Sequence, residues 1–345
     1  MRKRIAVLPG DGIGPDVTAE GLRILRAVEP SLDMRFDLEE YSVGAGEFLH
    51  SGDPLPPATL ERVKQCDAIL LGAMGLPDVR RPNGVEIAPQ IDLREEMELY
   101  CGLRPVHLYH ANDTPLKGYG PGEIDFAIVR ESTEGLFFSR KETYAPDATE
   151  VRDTMRISRT GAERVIRSAF RVARNRRKRC TLVDKANVLP SMAFFRQIFY
   201  QIAPEFPDVR ADHVYVDAAA LFLVRQPHEY DVMVTENMFG DILSDLAAAL
   251  VGGMGMAPSA DIGDNHAVFQ PAHGSAPDIA GKGIANPVAT ILSVALMLDW
   301  LGHPTGARRI EQAVERVFAD PANRTRDMGG SLTTTEMGAK VAGAL

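Results

Sequence analysis

The stretch Ile5–Ala27, IAVLPGDGIGPDVTAEGLRILRA, decides the class of fold. Ile5–Leu8 is a strand-length apolar run, Asp16–Ala27 carries a helical period, and a glycine-rich turn joins them. The same strand-then-helix pattern recurs: Ala68–Gly72, Ile124–Val129, Thr181–Val183 and Val232–Val234 are short apolar runs, and Gly161–Ala173, Met192–Ile202 and Asp241–Leu250 have helical spacing. Alternation of this kind predicts an α/β layer architecture. The strand runs are continuously apolar, as expected where helices cover both faces of a sheet. The turn Gly10-Asp11-Gly12-Ile13-Gly14-Pro15 only superficially matches a dinucleotide fingerprint. Its third glycine comes one residue early, a proline follows, and no acidic strand end lies at the usual distance, so a Rossmann fold is not expected. The glycines still require that another backbone or a ligand approach closely there.

At 345 residues and about 150 residues per domain, roughly two domains are expected. The net charge is −9, which argues against an extended nucleic-acid surface. The basic run Arg174, Arg176, Arg177, Lys178 and Arg179 ends a predicted helix, where cations complement the carbonyl end of the dipole. Cys66, Cys101 and Cys180 are far apart and form no C-x-x-C pair, so neither a disulfide framework nor a structural zinc site is expected. Ile5–Leu8 is too short for a signal-peptide core, and no run reaches the roughly 18–20 apolar residues of a membrane span. A cytoplasmic protein without membrane or nucleic-acid partners is the expectation.

Chemistry concentrates in a few places. In Asn237-Met238-Phe239-Gly240-Asp241-Ile242-Leu243-Ser244-Asp245, Asp241 and Asp245 stand four apart on one helix face, with Asp241 expected in the first turn. Either solvent screens these like charges or a cation sits between them, and a hard divalent ion such as Mg²⁺ suits such a pair. Asp217, after the β-prone run Val214–Val216, is either a third acid of that site or a helix N-cap. Arg104 and Arg130 flank predicted strands at loop ends and Arg94 lies on a predicted helix before Cys101, and guanidinium forks suit bidentate capture of carboxylates. Lys185 follows a strand beside Asp184, as a base or as half of a salt bridge.

Together these segments resemble the β-decarboxylating dehydrogenase family, which includes 3-isopropylmalate, homoisocitrate, isocitrate, tartrate and D-malate dehydrogenases. The resemblance spans essentially the whole chain. It is carried by Leu8–Pro15 (LPGDGIGP), Leu93-Arg94, Leu103-Arg104-Pro105, Val129–Gly135, Asp184–Leu189 (DKANVL), Val216–Ala220 (VDAAA), Asn237–Asp245 and His273–Pro287 (HGSAPDIAGKGIANP). It implies a two-domain, isopropylmalate dehydrogenase-like α/β fold. The first, cofactor-side domain would be discontinuous, residues 1–98 and 253–345, with 99–252 forming the dimer-contact domain. It also implies NAD-dependent, Mg²⁺- or Mn²⁺-dependent oxidative decarboxylation of a 2-hydroxy diacid, nearest to 3-isopropylmalate dehydrogenase. Arg94, Arg104 and Arg130 match the arginines that clamp the malate carboxylates; Asp217, Asp241 and Asp245 match the metal ligands. Lys185 matches the base, and it and Asp217 would come from the partner subunit of a homodimer with shared active sites. His273, Gly274, Ser275, Ala276, Pro277 and Asp278, with Asn286, match the loop that binds the cofactor's adenosine. Asp278 would accept from the ribose hydroxyls and favour NAD over NADP.

Three positions depart from the family pattern. Phe137 stands where a tyrosine supplies the acid that protonates C3, leaving Tyr144 or a water as substitutes, a different substrate, or a weakly active or regulatory homologue. Gln90 and Asp92, in Pro89–Leu93, do not suit an apolar pocket, so a tartrate, D-malate or homoisocitrate dehydrogenase is an open alternative. Gln270 replaces a common glutamate.

Overall fold

The computed structural model describes residues 1–81 and 84–345. The opening stretch forms strand β1 (Arg2–Gly10) and helix α1 (Gly14–Val28). Val17, Gly21, Ile24, Leu25 and Val28 form the buried stripe of α1, and Pro15 at its start costs no hydrogen bond. β2 (Arg35–Glu40), α2 (Ala45–Ser51), α3 (Pro57–Val63), β3 (Ala68–Ala73) and α4 (Pro89–Glu96) follow. The middle of the chain supplies β4 (Cys101–His107), β5 (Asp125–Glu131), α5 (Arg159–Arg174), β6 (Arg179–Asp184), α6 (Pro190–Ile202), β7 (Arg210–Tyr215), α7 (Val216–Arg225), β8 (Val232–Thr235) and α8 (Asn237–Ala249). The last third adds β9 (Pro258–Ile262), β10 (Ala267–Pro271), α9 (Val288–Trp300), α10 (Pro304–Phe318) and α11 (Thr334–Gly343).

The described strands form one ten-stranded sheet in the order β2-β1-β3-β10-β9-β4-β5-β8-β6-β7. β2, β1, β3 and β10 pair in parallel, as do β5, β8, β6 and β7. Antiparallel pairings through β9 and β4 join the two sets. Strands from the last third therefore lie between strands from the first third and the middle. Such an order differs from that of a doubly wound dinucleotide fold. α9 is buried almost all round through Val288, Ile291, Val294, Met297 and Leu298, and so shows no amphipathic period.

The glycine-rich turn serves the fold. The buried Asp11 carboxylate accepts backbone N–H groups from Ala45 (2.7 Å), Gly46 (2.8 Å) and Gly75 (2.8 Å). Gly12 has φ +58°, and a Cβ there would lie 2.0 Å from the carbonyl oxygen of Ser275. The close approach is thus backbone to backbone, and it ties the turn to loop 273–278. Gly12→Ala is expected to lower stability by roughly 2–4 kcal/mol, read by urea unfolding, because both strain and overlap oppose it.

Only Arg174 of the basic run lies in α5; Arg176, Arg177 and Lys178 fall in the turn that follows and Arg179 opens β6, so carboxylates on neighbouring elements, rather than the helix end alone, balance the run. Arg174 pairs with Asp208 (2.9 Å), Arg176 with Asp125 (2.8 Å) and Asp231 (3.0 Å), and Arg179 with Asp212 (2.9 Å). The three cysteines are buried and form no disulfide. Among the described residues no helix is long and apolar enough to cross a membrane.

α8 starts earlier than its sequence period suggests. Glu236 caps it, its carboxylate accepting from Met238 N (3.1 Å) and Phe239 N (2.6 Å), which places Asp241 in the second turn rather than the first. Asp217 is not an N-cap either: Tyr215 holds that position, and Asp217 lies in the first turn of α7.

Candidate active site

Arg94 on α4, Arg104 on β4 and Arg130 on β5 converge on one cleft of about 210 Å³. The end of β3, Gln90, Ile91, Phe137, Asp241 and the segment Gln270–Gly274 complete its wall. All three arginines are buried. Arg130 is held most firmly: its Nε and Nη2 donate to Asn237 Oδ1 at 2.9 and 2.6 Å, and its Nη1 bonds Asp241. Gly240 makes this packing possible, since a Cβ there would lie 2.7 Å from the Arg130 side chain. Burial, and then repulsion from Arg94, lowers the Arg130 pKa to about 10, so it stays charged at neutral pH. Burial likewise lowers that of Arg104.

Asp241 and Asp245 share a face of α8. Burial, and then the like charge of Asp241, raises the pKa of Asp245, as expected of two carboxylates that a cation would relieve. Asp217 does not join them within one chain. Instead it accepts from Lys185 Nζ at 2.6 Å, and this ion pair lowers its pKa. Among the described residues no group of three metal-capable side chains forms. Asp184 is fully buried and paired twice with Arg196, at 2.7 and 2.6 Å, which anchors the loop that carries Lys185.

On the opposite wall, Ser275 bonds the Gly75 carbonyl and accepts Ile13 N on its own carbonyl at 2.7 Å, fixing loop 273–278. Nothing lies within 4 Å of a Cβ built on Gly274, so its backbone is open to approach. Ala276 has φ +37°, and Pro277 and Asp278 are exposed. Burial lowers the pKa of His273, which favours the neutral imidazole. Asn286 is buried: its Oδ1 accepts Val288 N (3.1 Å) and its Nδ2 donates to Asp327 (3.2 Å).

Gln90 Oε1, Arg104 Nε, Asp261 Oδ1 and His273 Nε2 are buried polar atoms without a hydrogen-bond partner, and all belong to residues in or beneath this cleft. Buried polar groups are ordinarily paired, so Gln90 Oε1, Arg104 Nε and His273 Nε2 on the cleft wall are free to meet a polar ligand. A larger groove of about 620 Å³ runs beside it, lined by Asp53, Leu60, Asp92 and Arg140. There Arg140 is already bound to Asp92 (2.7 Å) and Glu95 (2.8 Å), so its guanidinium is neutralised within the chain.

The two polar residues of Pro89–Leu93 part company: Gln90 lines the cleft together with Ile91, whereas Asp92 turns into that groove. Phe137 occupies the cleft wall, with the Arg130 guanidinium 5.3 Å from its ring centroid. Tyr144 lies outside the cleft and is 71% exposed. Sequence reasoning missed Asp261, a fully buried carboxylate on β9 whose Oδ2 lies 3.1 Å from Arg94 Nε. It also missed the role of Asn237. An isolated aspartate in Ser259–Gly263 offers no pattern that could have revealed the first; Asn237 stood in a quoted motif but had no visible partner.

Comparison with known proteins identifies the family. The isocitrate/isopropylmalate dehydrogenase family matches residues 4–341. A 3-isopropylmalate dehydrogenase from Thermobifida fusca is 45% identical, covering 98% of this chain and 96% of that relative. The crystal structure of isocitrate dehydrogenase from Methylococcus capsulatus superposes with a TM-score of 0.89 at 36% identity, covering 99% of both chains. A β-decarboxylating dehydrogenase from Thermococcus kodakarensis gives a TM-score of 0.83 at 39% identity, covering 99% of this chain and 96% of that one. Nothing in these comparisons supports the reading of a weakly active or regulatory homologue. The chain belongs to the isocitrate/isopropylmalate dehydrogenase family and is a decarboxylating dehydrogenase acting on a CH–OH group.

Proposed function

We propose that this chain oxidises a 2-hydroxy diacid, a malate substituted at C3, with NAD as hydride acceptor, and releases one carboxylate as CO₂, in the manner of a 3-isopropylmalate dehydrogenase. The observation that carries this reading is the convergence of Arg94, Arg104 and Arg130 on one cleft beside the Asp241–Asp245 pair. Three guanidiniums bind two carboxylates in fixed orientation and bring C2 and C3 into register. Asp241 and Asp245 would hold Mg²⁺ or Mn²⁺, with Asp217 of a second copy as the third ligand. When bound, the cation polarises the 2-oxygen and stabilises negative charge on it during decarboxylation. His273–Asp278 and Asn286 would hold NAD, with the open Gly274 backbone and the exposed Asp278 available to it.

In this proposal Lys185 of the second copy takes the 2-hydroxyl proton, and its bond to Asp217 aims the amine. Shared sites are supported by exposed apolar side chains on two helices that pack together: Leu221 and Val224 on α7 and Ile242 on α8. Burying these side chains in a homodimer would carry Asp217, on α7, to a neighbouring copy. The division into 1–98 with 253–345, and 99–252, is part of the same proposal. It is supported by separate cores, one around Ile5, Ile24, Phe269, Leu298 and Phe318, the other around Phe170, Phe195, Phe199 and Val232.

The buried, unpartnered amide oxygen of Gln90 favours a second reading, a small hydroxylated 3-substituent as in tartrate, over an isopropyl group. A panel of isopropylmalate, homoisocitrate, isocitrate, tartrate and D-malate with NAD and Mn²⁺ separates the two. NADH formation, abolished by chelation, is expected with at least one; no signal despite measurable NAD binding contradicts the proposal. Phe137→Tyr is expected to raise kcat on that substrate at least tenfold, since a positioned acid contributes roughly 10²–10⁴. No gain, together with collapse in Tyr144→Phe, places the acid on Tyr144 instead.

A further inference from the structure

Asp261 and Gln270 form a buried pair whose geometry reaches both sides of the cleft. Gln270, at the end of β10, donates from Nε2 to Asp261 Oδ2 at 2.6 Å, and Arg94 Nε lies 3.1 Å from the same oxygen. An ionised carboxylate can only accept, so the Gln270 amide must turn its NH₂ toward Asp261 and its carbonyl oxygen away from it. Gln270 itself lines the cleft beside His273 and Gly274. The ligand therefore meets a neutral acceptor, while the negative charge that a glutamate would place at position 270 stands one layer behind, on β9.

We propose that Asp261 is a positioning residue for both halves of the cleft, orienting Arg94 toward a substrate carboxylate and locking the Gln270 amide so that its oxygen faces the carboxamide of a bound nicotinamide. This rests on the reading of the cleft given above. The charged and titratable groups that face the pair are Arg94, Arg104 and Arg130, and the Cys101 thiol; Asp241 and Asp245 lie behind them and act on Arg104. The arginines favour the ionised carboxylate, so wild-type Asp261 needs no proton to sit beside Gln270.

Gln270→Glu tests the contact without turnover. Two carboxylates at this separation cannot both ionise, so the folded state must hold a proton whose pKa lies above its unfolded value. That contribution is complete at low pH and lost as pH rises, so the melting temperature of the unliganded variant should fall between about pH 5 and 8 relative to wild type. Asp261→Asn combined with Gln270→Glu leaves a single carboxylate and should remove the extra pH dependence. Asp261→Asn alone should weaken calorimetric binding of both 3-isopropylmalate and NAD by roughly tenfold, the value of one charge-assisted hydrogen bond. Tighter diacid binding by Asp261→Asn would overturn the proposal, because Asp261 would then merely compete with the substrate for Arg94. A Gln270→Glu profile parallel to wild type would overturn it too, and that readout decides even if Asp261→Asn does not fold. Neither the melting profile nor NAD calorimetry requires turnover, so failure of the proposed reaction remains distinguishable from failure of this pair.

Discussion

Arg130→Met is expected to lower kcat/KM for the diacid by about 10³ and the stability of the folded chain by roughly 2–3 kcal/mol. The catalytic part follows from losing a planar, oriented cation where substrate charge is bound, an effect of about 3–4 kcal/mol. The stability part has a different source. Arg130 is 1% exposed and satisfies Asn237 Oδ1 twice, so methionine leaves a buried acceptor unpaired. The loss of the Asp241 contact adds less, because that carboxylate is half exposed and water can replace its partner. Urea unfolding and steady-state kinetics separate the two. Arg130→Lys should recover part of the stability but little of the activity, since an ammonium cannot reproduce the fork. If Arg130→Met, assayed where it is fully folded, keeps kcat/KM within tenfold of wild type, Arg130 is structural only.

Lys185→Met and Asp241→Asn should each lower activity by at least about 10³, yet coexpressed in one cell they should recover about a quarter of wild-type activity. Lys185 and Asp217 bind each other on an exposed surface, and no carboxylate trio forms among the described residues of one chain. If the sites are shared, a mixed dimer combines the intact Asp241 of one copy with the intact Lys185 of the other at one of its two sites. Random pairing makes half the dimers mixed, hence roughly one quarter of the sites active. The measurement is specific activity of the tagged and purified mixture. No recovery above either variant alone contradicts sharing.

The sequence reading succeeded where a local pattern carries the physics and fell short where the partner is distant. β1 and α1 were visible because an apolar run, a glycine turn and a helical stripe lie within 27 residues. α9 was not, because a helix buried almost all round has no period to detect. The start of α8 was misplaced because its cap is Glu236, outside the usual Ser, Thr, Asp and Asn preference. In the site, Arg94, Arg104, Arg130, Asp241 and Asp245 stood out through motifs. The family resemblance groups Asp92 with Gln90 in the segment before Arg94. Gln90 and Ile91 do line the cleft, but Arg140, 48 residues away, draws Asp92 into the adjoining groove. Asp261 could not be seen at all: its importance comes from Arg94 and Gln270, brought to it by strand order.

The coupling of oxidation to decarboxylation tests the account most directly. With the preferred diacid of the panel, NAD and Mn²⁺, NADH and CO₂ released from the substrate should be quantified in the same reaction. One CO₂ per NADH is the expected result, with both lost in Arg130→Met. NADH formed without CO₂, or neither product from any diacid while NAD binds, would contradict the assignment of this cleft.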